Sequence, residues 1–249
     1  MSKWKKVIQI VDHAVNLLIV LCFLPILLYG IYAIWDSEHS YQQADVSFYE
    51  IYKPTSNDSL SFEELQKINP EVFGWLTVKN THIDYPLVQA SNNLKYVNTD
   101  VKGEFSLSGS IFLDCRNEKN FSDMNNVIYG HKMAKKTMFG EIALFDEREY
   151  FEIHQYGELY FDVLWHEVEF FAFLYADAYD SILYNTELQG EADQQQYLNY
   201  IRENARNFKE LSFGTEEHFV TLSTCTSTST NGRQLLVGRI TGKTRRDIE

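Results

Sequence analysis

Ala14–Trp35 runs for 22 residues without a charge, broken only by Asn16, Pro25 and Gly30. As a helix rising about 1.5 Å per residue, that length crosses a hydrocarbon core. Lys3, Lys5 and Lys6 precede it; Asp36 and Glu38 follow it. Lysine on the N-terminal side predicts a cytoplasmic N-terminus and an extracellular remainder, a single-pass type II arrangement in the cell membrane. A cleaved signal peptide is the competing reading. The stretch is long for one, and bulky Tyr32, Ile34 and Trp35 stand where small cleavage-site residues belong. The pattern divides the chain into a cytoplasmic segment (1–13), a transmembrane anchor (14–35), a polar extracellular tether (36–60) and one domain (61–249).

Inside that domain the pattern is mostly of short strands. Ser61-Phe62-Glu63-Glu64 reads as a capping box that starts a helix over Phe62–Ile68, and Asn69-Pro70 stops it. Strands are predicted at Gly74–Val78, His82–Val88, Ser110–Leu113, Val127–Gly130, Leu159–His166, Glu167–Ala176, His218–Cys225 and Leu235–Thr241. Alternation is clearest in Glu167–Phe170 and Leu235–Ile240. Two helices interrupt them, Thr137–Phe145 and Asp193–Phe208. The second carries Tyr197, Leu198, Ile201 and Ala205 on one face. Many short strands with turn signals between them mean a closed barrel or a sandwich, and patterning alone does not choose.

Charge removes one class of partner. The chain has a net charge of −13; without residues 1–35, with their three lysines and one aspartate, 19 basic and 34 acidic residues remain, a net −15. Nucleic acid, whose phosphates need a basic face, is therefore not expected. No HExxH or CxxC spacing and no glycine-rich phosphate loop is present, so neither a metal nor a cofactor is expected. The three cysteines show no pairing pattern of a disulfide scaffold. Cys22 lies in the apolar span and Cys115 at the end of a strand. Cys225 alone has a polar setting.

That setting carries the candidate chemistry. The apolar run Phe219–Leu222 ends on Cys225, a loop of small polar residues follows, and a second β-rich run begins beside Arg233, eight residues on. Antiparallel neighbours would bring thiol and guanidinium to one end of a sheet. A thiolate needs a nearby cation, and acyl transfer needs a donor for the oxyanion. His131, after Tyr129-Gly130, is the candidate proton carrier. Arg239 lies six residues beyond Arg233, too far for the same task. The blander readings are a buried strand-end cysteine, a surface histidine and a solvated arginine.

The ordered set Thr221-Leu222-Ser223-Thr224-Cys225, Arg233 and Ile128-Tyr129-Gly130-His131 resembles the sortases, cysteine transpeptidases of the Gram-positive cell wall. The flanks Phe73–Leu76, Ile83–Gln89, Gly109–Asp114 and Thr137–Gly140 resemble class B. The likeness runs from about Phe62 to Thr241. It implies the sortase-type closed β-barrel of about eight strands with a few helices, a mainly β fold behind the transmembrane helix. It implies that Cys225 attacks a Thr–Gly or Thr–Asn bond in a C-terminal sorting motif of a surface protein. The resulting thioester is resolved by an amine of a peptidoglycan precursor, or by a pilin lysine in a minority branch. His131, Cys225 and Arg233 would be catalytic, and the backbone N–H of Thr226 would help hold the oxyanion. Tyr129, Ser223, Asn93 and Val97 would line the peptide groove. Two other readings stay open: a thiol hydrolase on the same residues, and a tethered binding protein without chemistry.

Overall fold

The computed structural model describes residues 3–55, 60–226 and 229–244. Two units make up the chain, residues 1–42 and 43–249. The first is helical. Helix α1 (Lys3–Gln43) contains the uncharged span and continues past it. Its stretch Trp4–Glu38 is long and apolar enough to cross a membrane.

The second unit is built on one sheet. Its strands are β1 (Val72–Val78), β2 (Asp84–Val88), β3 (Ile111–Leu113), β4 (Asn125–Tyr129), β5 (Tyr156–Phe161), β6 (Leu164–Asp177), β7 (Asn207–Phe208), β8 (Phe219–Cys225) and β9 (Gly232–Thr244). They hydrogen-bond in the order β5-β1-β2-β3-β4-β8-β9-β6-β7, and β5 also pairs with β6. That pairing closes eight strands into a barrel and leaves β7 as a short flanking strand. Closure removes the free edges on which a sheet aggregates.

Strand β6 explains why alternation is lost in the middle of the sequence. Phe170 and Phe173 belong to the main buried core, with Trp75, Leu76 and Val168. Phe171 and Leu174 point the other way, into a second core with Tyr197, Leu198, Ile201 and Phe219. The first three of these partners lie on α4 (Gly190–Asn204), which covers that face as its apolar spacing predicts. Both faces of β6 are buried from Val168 to Leu174, so after the alternating Glu167–Phe170 the stretch Phe170–Leu174 reads as continuously apolar.

Four expectations are displaced. Leu159–His166 is not one strand: the chain reverses at Asp162–Val163, both at positive φ (48° and 65°), and Phe161 pairs with Leu164. Helix α4 stops at Asn204, because Arg206 and Lys209 donate their N–H groups to the Phe173 and Phe171 carbonyls and the chain between them becomes β7. No helix starts at Thr137: the Phe139 N–H closes a loop onto the His131 carbonyl. A 3-10 helix over Gly140–Asp146 and the short α3 (Arg148–Ile153) follow. Helix α2 covers Leu60–Ile68, so Ser61 lies inside it, not at its cap. The segment 36–60 carries secondary structure of its own. Helix α1 reaches Gln43, two 3-10 turns follow at Val46–Phe48 and Glu50–Tyr52, and Ala44 and Tyr49 are buried. Residues 56–59 of that segment lie outside the described residues, as do Ser227 and Thr228 of the Ser/Thr loop and the last five positions of the domain.

Candidate active site

Strands β8 and β9 run antiparallel with Cys225 directly opposite Arg233. This is the juxtaposition expected from the eight-residue gap. Strand β4 lies parallel to β8 on its other side, with Tyr129 opposite Ser223. Gly130 and His131 leave the end of β4 beside the end of β8. Register alone therefore brings histidine, cysteine and arginine to one rim of the barrel. A cleft of about 320 Å³ opens there, lined by Cys225, His131, Arg233, Tyr129, Ser223, Asn93 and Val97. Phe112, Gly130, Ala178, Tyr184 and Thr224 complete its lining. Tyr184 comes from the β6–α4 connection, which has no periodicity to place it, so sequence reasoning had no signal for it.

Cys225 is exposed, as a nucleophile must be. His131 is half-buried, and its Nε2 lies 2.7 Å from the Val97 carbonyl. A carbonyl only accepts, so Nε2 carries the hydrogen and Nδ1 is the nitrogen able to take or return a proton. The backbone under Val97 is held by Gly109, at φ +58°. A Cβ on Gly109 would lie 2.5 Å from both the Tyr96 and the Val97 carbonyl oxygens. Gly109→Ala is therefore expected to move the acceptor that orients His131. Peptide cleavage should fall about tenfold or more, and stability by about 1–2 kcal/mol for the left-handed backbone alone. Initial rates and a thermal melt check this; an unchanged rate would show that Val97 does not orient the ring.

The Arg233 guanidinium folds back over its own hairpin, Nη1 donating to the Gly232 carbonyl (3.0 Å) and the Thr230 carbonyl (3.3 Å). The Thr226 N–H donates to the Gly232 carbonyl at 2.9 Å. Both expected oxyanion donors are thus engaged by the β8–β9 hairpin. Arg239 is committed elsewhere, with Nε and Nη2 donating to Glu169 Oε2 at 3.1 and 2.8 Å. Cys115 stands behind the cleft wall, its N–H donating to Asn93 Oδ1 (2.8 Å). Lys132, next to His131, reaches Gln234 Oε1, next to Arg233, at 3.2 Å and ties the histidine loop to β9.

The aromatic side of the cleft is polar behind and ordered. The Tyr184 hydroxyl lies 2.8 Å from Ser223 Oγ. Burial pushes its phenol up to about 12, so it keeps its proton at neutral pH. Tyr129 is also pushed up, first by burial and then by the charge of Asp114.

No protein-family model matches the chain. Sortase B of Listeria monocytogenes is 31% identical over 182 residues, 72% of this chain and 74% of the relative. The chain belongs to the sortase B family. Among solved structures, a class B sortase of Streptococcus pyogenes involved in pilus biogenesis is 40% identical with a TM-score of 0.66. The match covers 73% of this chain and 98% of that one. A sortase B from the type II pilus of Streptococcus pneumoniae is also 40% identical, with a TM-score of 0.64 over 73% of this chain and 99% of that one. The closed eight-strand barrel is the sortase fold, and the chain is a cysteine transpeptidase of this family.

Proposed function

We propose that this sortase cleaves a Thr–Gly or Thr–Asn bond in the C-terminal sorting motif of a surface protein and joins the freed carbonyl to an amine outside the membrane. The observation that supports it is the convergence of Cys225, His131 and Arg233 on one cleft at the barrel rim. The Cys225 thiolate attacks the scissile carbonyl carbon, and the carbonyl electron pair moves to oxygen. Arg233 stabilises that oxyanion. The carbon–nitrogen bond then breaks, the leaving amine takes a proton from His131, and a thioester remains on Cys225. An incoming amine attacks the thioester and gives its proton to His131. The new amide forms as the thiolate departs. Arg233 must turn from the Thr230 and Gly232 carbonyls to act on substrate. Likewise, the Thr226 N–H serves only once its bond to Gly232 opens.

The acceptor is the amine of a peptidoglycan precursor. A pilin lysine is the second reading, favoured by the 40% identity to the Streptococcus pyogenes sortase of pilus biogenesis. The test is to incubate the full chain in detergent with a peptide library and two amines, one N-terminal and one on a lysine side chain. Mass spectrometry then identifies the junction. A ligated product with either amine supports transfer and names the acceptor; cleavage without ligation in the presence of both would make the protein a thiol hydrolase.

Anchoring by residues 14–35 carries its own expectation. Protease added to intact protoplasts is expected to digest the barrel domain and leave a short membrane-protected N-terminal fragment. Protection of the domain, or secretion of a form lacking residues 1–35, would overturn the type II arrangement.

A further inference from the structure

Asp114 follows β3 and is completely buried. A buried carboxylate is tolerated only when its oxygens are filled. Here Oδ1 accepts from the Arg116 N–H (3.0 Å) and Nε (2.9 Å), and Oδ2 from Arg116 Nη2 (2.8 Å) and the Tyr129 hydroxyl (2.9 Å). Burial alone would raise the Asp114 carboxyl, but the Arg116 side chain and backbone and the Tyr129 hydroxyl outweigh it and hold the group below the usual carboxylate range. The same guanidinium continues to the Tyr184 carbonyl (3.3 Å). The rings of Tyr129 and Tyr184 stack, with centroids 6.3 Å apart and planes 10° from parallel.

One carboxylate and its arginine therefore fix two residues that line the cleft, one through its hydroxyl and one through its backbone. Neither Asp114 nor Arg116 is part of the lining. Stability is a weak reason for such a pair, because the Arg116 side chain is half exposed and an ion pair with a solvated partner contributes little. Its bonds lead instead to the cleft.

We infer that Asp114, acting directly on Tyr129 and through Arg116 on Tyr184, is a positioning residue that holds the two rings as a rigid wall for the peptide substrate. The inference rests on the reading of this cleft as the sorting-peptide site. The wall sets how well a peptide is held, not how reactive the thiol is.

The test compares the full chain in detergent with Asp114→Asn, using a quenched fluorogenic peptide that the parent cleaves at a Thr–Asn or Thr–Gly bond. KM is expected to rise about tenfold, as for losing one charge-assisted hydrogen bond. kcat should stay within about threefold, and the rate of Cys225 alkylation by iodoacetamide within about twofold, because neither depends on the wall. Parental KM in a folded Asp114→Asn protein would overturn the inference. So would a lost kcat with unchanged KM and slowed alkylation, which would place Asp114 in the chemistry instead. If Asp114→Asn does not fold, Asp114→Asn combined with Arg116→Gln, which leaves no guanidinium without its carboxylate, takes its place with the same expected and contrary results. Cys225→Ala separates the two levels. If it keeps activity, the site reading has failed; if it is dead while Asp114→Asn has parental KM, only the wall has failed.

Discussion

Replacing Cys225 with alanine is expected to abolish cleavage and transfer together. Both halves of the proposed reaction pass through its thioester, and no other thiol lines the cleft among the described residues. Removing a nucleophile from a covalent mechanism typically costs about 10⁶ in rate. Cys115→Ala is the matched control. Cys115 holds Asn93 through its backbone N–H, which alanine keeps, so most activity should survive. Peptide cleavage and amine ligation followed in parallel check both variants. A dead Cys115→Ala beside an active Cys225→Ala would reverse the assignment.

Arg233→Lys is expected to lower acylation by about 10²–10³, the usual effect of losing one oxyanion donor. Lysine keeps the charge but not the planar fork. It cannot present two directed donors to one carbonyl region. In the free enzyme one guanidinium nitrogen, Nη1, donates to both the Thr230 and Gly232 carbonyls. The barrel should stay folded, because Arg233 lies at the rim and outside both hydrophobic cores. Single-turnover thioester formation, with a thermal melt as control, reads the effect. A variant that acylates at the parental rate would leave the oxyanion to backbone donors, since Arg239, further along β9, is bound to Glu169 of β6.

The site was legible where it depends on strand register. The gap between Cys225 and Arg233 is a hairpin, and a hairpin has a fixed geometry that spacing reveals. Tyr129 and His131 were read from the motif they share with the family, and the parallel pairing of β4 with β8 that sets them beside Cys225 was not. Tyr184 was not, because it is placed by tertiary bonds: Asn125 Nδ2 donates to the Leu183 and Asn185 carbonyls on either side of it. Nothing in residues 178–189 announces those bonds. The engagement of the Thr226 N–H by Gly232 was equally hidden, since a ladder bond depends on where a hairpin stops pairing. The turn at Asp162–Val163 went unread for a local reason. A two-residue turn with both φ angles positive usually carries Asn-Gly or Asp-Gly, and valine there gives no signal. The break after Asn204 was missed because the sheet edge of β6 offered its backbone to residues that a helical reading would have kept. Strands β2, β3, β4 and β8 were read to within a few residues although both of their faces are buried, whereas in β6 the alternation of Glu167–Phe170 stops at the bulge between Phe170 and Ala172, in a stretch buried on both faces.

The most direct measurement is the intact mass of the full chain quenched in acid seconds after mixing with the fluorogenic peptide. The expected result is a protein heavier by the N-terminal part of the peptide, ending at threonine. The adduct should map to Cys225 on digestion and disappear when an amine is added, with the same acyl group recovered on that amine. Cleaved peptide with no adduct on Cys225 at any quench time, or an adduct on another residue, would contradict the proposed mechanism.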